Sequence, residues 1–334
     1  MNRERAVAVV IPSWNSLELL PRCLGSLRDQ GAELEVLVVD NGSGDGTVAY
    51  LEREEVPHLA LPENRGFAAA VNLGAARTTA PAVLVLNADT VLEPGAVGTL
   101  LDALEADERL GGVQPRLLQL EVDASTHRFH PSPRQNEDKG GNNAERARLY
   151  SAGQGLSRDG RAFEDGAGEA QSSGYLQPRE VFGVCGAACL LRRDLFDDLG
   201  GYDERYFAFY EDVDLNIRAR IAGWRFGYVP AAVVWHLGNA SWMAEAPQPS
   251  AWNARLVARN RIATQAKFMP VRALPRILAV ELGALLRAAR QRRFRATLRG
   301  KLEGLRRLPT MLRDRGRLRR EGDPELAHRW LGIG

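Results

Sequence analysis

The stretch "FAFYEDVDLNIR", residues 207–218, sets Glu211, Asp212 and Asp214 directly behind a cluster of aromatic rings. Part of that charge has an ordinary structural use. Glu211 and Asp212 open a helix predicted over "VDLNIRARIAGW", where negative charge meets the positive end of the helix dipole, and Asp214 stands four residues before Arg218, the spacing of an intrahelical ion pair. Exposed caps need no aromatic wall, yet Tyr202, Tyr206, Phe207, Phe209 and Tyr210 crowd the first two acids. Apolar surroundings and a neighbouring like charge both disfavour ionisation, which moves a carboxylate toward the basicity a general base needs. Two unit charges about 4 Å apart repel by roughly 4 kcal/mol at an effective dielectric near 20, so both ionise only beside a compensating helix N-terminus or cation. One of the pair therefore reads as a base.

Three further positions carry chemistry. Asp40 closes an apolar run and precedes the glycine-rich turn "NGSGDGT", placed to accept the N–H of a pyrimidine base or, more simply, to cap a helix. A dinucleotide fingerprint would need GxGxxG after the first strand, and this GxGxG follows the second. Asn87-Ala88-Asp89 ends another apolar run, where one acid suits a hard divalent cation that keeps most of its shell as water and phosphate oxygen. His236 ends "VVWH" ahead of a polar turn through Gly238 and Ser241, as a second ligand for the same cation or a satisfied core histidine.

These residues need elements to position them. "AVAVVIP" and "LEVLVVDN" are β-branched apolar runs ending in polar turns, and between them Leu17, Leu20, Leu24 and Leu27 fall on one helical stripe. A second round of strands and helices follows through "AVLVLNAD" and "EPGAVGTLLDALEAD". The alternation predicts an α/β, Rossmann-like, mostly parallel sheet flanked by helices, with ligands beyond the carboxyl ends of the strands, where Asp40 and Asp89 lie. Residues 121–178 are rich in Gly, Ser, Asn and charge without a sustained period, and read as a loop-rich insert acting as a lid or partly disordered.

The net charge of +2 conceals an asymmetry. Residues 251–334 carry 21 Lys and Arg against 6 Asp and Glu, whereas the remainder carries 23 against 36. The basic tail interleaves leucines with arginines at helical spacing, the composition of a helix that lies on an anionic membrane rather than crossing it. Its interleaved residues are leucines, not base-stacking aromatics, which disfavours nucleic acid; self-association into a homodimer stays open. Three scattered cysteines exclude a disulfide framework and point to a reducing compartment, and the N-terminal apolar run is too short for a signal peptide.

Seven stretches, "VVIPSWN", "LVVDNGSGDGT", "ENRGFAAAVNLGAAR", "LVLNAD", "CGAACLLRRDLF", "GGYDERYFAFYEDVDLNIRARIAGWRF" and "VWHLGNAS", occur in the order and approximate spacing of family-2 inverting glycosyltransferases of the GT-A fold. The sequence most resembles rhamnosyltransferase-like bacterial members that build surface polysaccharide. The resemblance implies a GT-A domain over 1–268, with 121–178 as an acceptor-side insert and 269–334 as a basic amphipathic helical tail. It implies nucleotide-sugar binding by Pro12, Trp14, Asp40, Arg65, Asn72 and Asn87. Asp89 and His236 would hold Mg²⁺ or Mn²⁺, Asp212 would be the base with Glu211 behind it, and Gly186, Ala187 and Phe209 would meet the acceptor. Asn87 replaces the first carboxylate of the family's DxD motif.

The implied reaction moves a hexosyl, leaning rhamnosyl, unit from a dTDP- or UDP-linked donor to a glycan or lipid-linked acceptor. It would take place in the cytoplasm, on the inner face of the membrane. A sugar nucleotidyltransferase would want a Gly- and Lys/Arg-rich loop at the first strand, where "IPSWNS" stands. A non-catalytic glycan-binding scaffold would not need Asp89, Asp212 and His236 together.

Overall fold

The computed structural model describes residues 5–122, 129–131, 147–170, 173–238 and 251–331. Four parallel strands form its first half: β1 (Ala6–Ser13), β2 (Glu33–Asp40), β3 (His58–Ala60) and β4 (Ala82–Leu86), in the order β3-β2-β1-β4. Their β-branched residues are buried on both faces, which is why they read as continuous apolar runs rather than alternating ones. The helices between them are α1 (Leu20–Gly25), α2 (Thr47–Arg53) and α3 (Phe67–Ala75). The leucine stripe predicts a longer first helix than forms: Pro21 sits in the first turn of α1, and turn hydrogen bonds from Leu19 and Leu20 to the Ser16 carbonyl precede it.

Beyond β4 the chain makes β5 (Thr90–Leu92), α4 (Ala96–Glu105) and the long β6 (Leu110–Val122), with β7 (Phe129–Pro131) along the end of β6. The 147–170 part of the insert is folded: β8 (Leu149–Ser151) pairs with β6, and β9 (Gln154–Leu156) forms a hairpin with β10 (Ala162–Glu164). Hydrogen-bonded turns hold it, including Ser157, Asp159 and Arg161 bonded together, so no hydrophobic period announces it. Residues 123–128, 132–146 and 171–172 of the insert lie outside the described residues.

The sheet continues with β11 (Arg179–Val181), β12 (Ala188–Arg192) and, after α5 (Arg193–Asp198) and α6 (Glu211–Ile221), β13 (Arg225–His236). β12 enters antiparallel between β4 and β6, and β13 runs parallel to β6, so the far half of the sheet is mixed. Val9, Ile11 and Leu84 pack against α4, while Val10, Val39 and Val83 pack against α3 and α6, which places hydrophobic layers on both faces.

Among the described residues five C-terminal helices follow: α7 (Ala251–Phe268), α8 (Leu274–Arg290), α9 (Phe294–Arg306), α10 (Leu308–Glu321) and α11 (Pro324–His328). They rest on the body of the protein. Phe268, Met269, Ile277 and Ala327 join Val213, Ile217 and Ile221 of α6 in one cluster. α9 lies close on α7 because Gly300 and Gly304 face the Arg255 and Arg259 carbonyls, where a Cβ would collide. Among the described residues no helix is long and apolar enough to cross a membrane.

Candidate active site

The turn ahead of α6 is unusual. Phe207, Phe209 and Tyr210 all take left-handed backbone angles, φ 68°, 67° and 72°, immediately before Glu211. Each such non-glycine residue costs about 1–3 kcal/mol, so the surroundings must over-determine the turn. One side chain does much of this. Asn260 of α7, fully buried, donates through Nδ2 to the carbonyls of Tyr206, Ala208 and Phe209 at 2.9, 2.8 and 2.7 Å, and its own Oδ1 accepts from Arg259 Nε at 2.9 Å. Asp214, also fully buried, meets Arg218 at 2.6 Å as its spacing predicts, and Lys267 at 2.5 Å. The third carboxylate is thus structural.

The first two acids differ from it and from each other. Asp212 Oδ2 accepts from the Gly186 N–H at 3.0 Å and Gln154 Nε2 at 2.9 Å, and Oδ1 accepts from the Val213 N–H at 2.7 Å. Burial raises its basicity, while these donors stabilise the charged form and so limit the rise. Glu211 is pushed well above the usual carboxylate range by burial and by the Asp212 charge, and its Oε2 finds no hydrogen-bond partner among the described residues. Glu211 is pushed up further than Asp212, so a proton shared by the pair goes to Glu211 first, which lessens the repulsion that two adjacent charges would carry.

Both acids line a cavity of about 240 Å³ with Gln154, Glu164, Gly186, Ala187, Phe209, Asn87, Asp89 and His236. Glu164 reaches it from β10, accepting from Ser151 Oγ at 2.6 Å and Gln154 Nε2 at 3.3 Å. Burial and the nearby Asp212 raise Glu164 to about 7. Gln154 therefore bridges two carboxylates with one amide nitrogen, while its oxygen accepts from Asn216 Nδ2 at 2.8 Å.

A second, narrower cleft of about 60 Å³ opens at the carboxyl ends of β1, β2 and β4 and is lined by Pro12, Ser13, Trp14, Asn41, Asn64, Phe67, Asn87 and Asp89. Phe67, Asn87 and Asp89 belong to both walls. Asp40 lies fully buried at the end of β2, with Oδ1 accepting from the Ser43 N–H at 3.0 Å and Oδ2 without a hydrogen-bond partner among the described residues. Asp40, Arg65 and Asn72 are not in this wall, and Asp40 lies beneath it, next to Asn41. Arg65 is exposed and 4.0 Å from Glu204, and Asn72 clasps the Tyr202 N–H and carbonyl, both at 2.9 Å.

At the shared wall, His236 Nε2 sits 3.2 Å from Asp89 Oδ1 and 3.4 Å from Asn87 Nδ2, with the ring held edge-on against Tyr150 at 4.3 Å. Adjacent ligands of an octahedral Mg²⁺ or Mn²⁺ stand about 3 Å apart, so a carboxylate oxygen and an imidazole nitrogen at this spacing fit such an ion. The buried Oδ1 of Asn87, whose amide faces His236, lacks a hydrogen-bond partner among the described residues and is a third candidate ligand atom. Glu164, Cys185 and Asp212 also bring ligand atoms within 4.8 Å of one another. That set suits a hard cation less well, because the Cys185 thiol is kept protonated by burial and Asp212 already accepts three N–H groups.

The sequence model of Glycosyl transferase family 2 matches residues 8–200. The chain belongs to glycosyl transferase family 2. It is 34% identical over 220 residues to N-acetylglucosaminyl-diphospho-decaprenol L-rhamnosyltransferase of Mycobacterium tuberculosis, covering 61% of this chain and 66% of that protein. It is 31% identical over 239 residues to the pre-mycofactocin glycosyltransferase of the same organism, covering 70% of this chain and 43% of that one. The match thus spans just under two thirds of the first relative's length and less than half of the second's. A crystal structure of GalNAc-T7 with UDP, GalNAc and Mn²⁺ shares the fold at a TM-score of 0.59 and 14% identity, over 80% of this chain and 49% of that one.

The GT-A architecture expected from the motifs is therefore present, with the helical C-terminal extension docked against it. Within this family-2 frame, the structure gathers Asp212, Glu211, Asn87, Asp89, His236, Gly186, Ala187 and Phe209 around one cavity and Pro12 and Trp14 around the adjoining cleft. The motifs miss Glu164, Gln154, Tyr150 and Asn260. The first three come from the insert, whose only signal is the acid in "RAFEDG", and Asn260 is one polar residue in a helix rich in arginine.

Proposed function

We propose that this protein is an inverting glycosyltransferase that moves a hexosyl unit, rhamnosyl in preference, from a dTDP- or UDP-linked donor to a lipid-linked glycan acceptor in cell-surface polysaccharide assembly. The observation that carries the reading is the shared wall: Asn87 and Asp89 border both the cleft at the strand ends and the cavity holding Asp212. A donor laid across that wall has its nucleoside at Pro12 and Trp14, above the buried Asp40, and its sugar facing the carboxylate. Identity to a rhamnosyltransferase acting on a lipid diphosphate supports the choice of sugar and acceptor class.

In this reading Asp212 takes the proton from the acceptor hydroxyl as that oxygen attacks the anomeric carbon. The Gly186 N–H and Gln154 hold its Oδ2 in place, and Glu211, the more readily protonated of the pair, limits the second charge in the cavity. Gly186, Ala187 and Phe209 form the acceptor's wall. Asp89 and His236 would hold Mg²⁺ or Mn²⁺, which when bound supplies charge stabilisation to the departing diphosphate. The reading takes the basic tail as the part that meets the inner face of the membrane, where such acceptors would lie.

The deciding experiment is turnover of dTDP-rhamnose and UDP-sugars with Mg²⁺, Mn²⁺ or EDTA, for the wild type and Asp212→Asn. A positioned base is worth about 10²–10⁴-fold in rate, so the variant should fold, bind donor and lose turnover by that factor. Retained turnover refutes the assignment, and no response to any nucleotide sugar favours a non-catalytic glycan-binding scaffold.

A further inference from the structure

α8 is turned inside out relative to its composition. Its one acid, Glu281, faces inward and is met by Arg261 at 2.6 Å, Gln265 at 3.0 Å and Lys301, whereas Leu274, Leu278, Leu282 and Leu286 face outward. With Val271 just before the helix, these side chains are between 49% and 76% exposed. On a helix of 3.6 residues per turn the four leucines share an arc of about 120°, and Arg276, Arg287 and Arg290 fall in an adjoining strip about 60° wide.

α9 repeats the order. Phe294, Leu298, Leu302 and Leu305 share an arc of about 80°, Arg295, Arg299 and Arg306 adjoin it, and Thr297, Gly300, Lys301 and Gly304 face the protein. Between α7, α8 and α9 lies a cavity of about 210 Å³ with Arg261, Arg287 and Arg293 in its walls, and Val257 is common to this cavity and the reaction cavity. Residues 269–306 hold ten basic and two acidic residues; of the acids, Glu281 is paired inside and Glu303 is paired with Arg255 and Arg299.

We propose that the α8–α9 hairpin seats the protein on an anionic lipid bilayer, its apolar arcs in the interface and its arginine strips on lipid phosphates. The arginine-walled cavity then holds a lipid phosphate one residue's width from the reaction cavity. Charge complementarity selects this occupant: a leucine arc bordered by arginines and free of unpaired acid matches an acyl boundary under anionic headgroups. A helix packed on another protein would not need the flanking cations. The inference deepens the reading of a lipid-linked acceptor and rests on it for its purpose.

Its test is flotation of the full-length chain with vesicles of phosphatidylcholine alone or mixed with phosphatidylglycerol, at low and high salt. We expect recovery with the anionic vesicles only. Leu278→Glu/Leu282→Glu should reduce binding more than about tenfold by placing charge in the interface. Arg287→Ala and Arg290→Ala should each reduce it about fivefold at low salt and less at high salt. The altered side chains are exposed, so thermal unfolding should be unchanged. Wild-type protein remaining unbound, or the leucine variant floating like wild type, overturns the proposal. So does a leucine variant that converts a dimer to a monomer with vesicle binding intact, which assigns the face to a second copy. Flotation needs no donor: vesicle binding without sugar transfer refutes the glycosyl-transfer reading alone, and transfer to an acceptor without vesicle binding refutes this one alone.

Discussion

Replacing Asn260 by alanine should loosen the turn ahead of Glu211 and Asp212 from a distance. Two amide hydrogens serve three carbonyls in a fully buried place, and the turn they hold contains three left-handed non-glycine residues. A neutral hydrogen bond contributes about 0.5–1.5 kcal/mol, and leaving a buried partner unsatisfied costs about 1–3 kcal/mol, so the variant should lose about 2–4 kcal/mol of stability. Urea unfolding followed by fluorescence reads this as a lower midpoint at unchanged slope. Once the clasp is gone, the strain in Phe207, Phe209 and Tyr210 favours relaxation, and Glu211 and Asp212 move with the turn. Displacing a catalytic group by about 1 Å costs about 10²-fold, so if Asp212 is the base turnover should fall by that order, while donor binding, which the proposed function puts at the strand ends, should stay near wild type. A loss of stability below about 0.5 kcal/mol together with intact turnover would refute the view that Asn260 holds the turn.

Other consequences concern the cavity's charges. Glu164 is raised from its ordinary value to about 7, so the folded protein binds that proton more tightly than the unfolded chain does. Stability should therefore fall by up to about 3 kcal/mol as pH rises from about 5 to 8, and Glu164→Gln should flatten that decline in urea titrations at the two pH values. Gln154→Leu removes a donor from the charged form of Asp212, so the acid limb of the pH–rate profile should move to higher pH; a limb that stays in place contradicts the role given to the amide. His236→Ala should abolish the part of donor-induced thermal stabilisation that depends on Mn²⁺ while sparing the metal-free part, and equal metal dependence in variant and wild type would remove His236 from the ligand set.

The sequence is most informative where function sits at the end of a regular element. Asp40, Asp89 and His236 each follow an apolar β-branched run, so period and composition locate them, and Glu211 and Asp212 open a helix with strong local signals. It is least informative where the site is assembled across long separations. Gln154 meets Asp212 across 58 residues, and Asn260 meets the carbonyl of Phe209 across 51. Neither lies in a pattern, because a single amide that satisfies distant groups leaves no periodic trace. The insert illustrates the same limit: polar turns, rather than apolar repeats, bring Glu164 to the cavity. Asn72 shows the converse, since its motif suggests a ligand contact while its amide is used to anchor the turn at Tyr202.

The clasp from α7 also bears on how such a chain can be divided or recombined. A fragment ending near residue 250 would retain every motif that marks the family, both carboxylates and the whole sheet, yet would lack the amide that keeps the turn wound. Grafting the C-terminal helices of one relative onto the body of another would likewise exchange the side chain that holds the turn before Glu211, along with the surface those helices present. In this architecture a change in the surface of those helices and a change in the turn before Asp212 are inherited together.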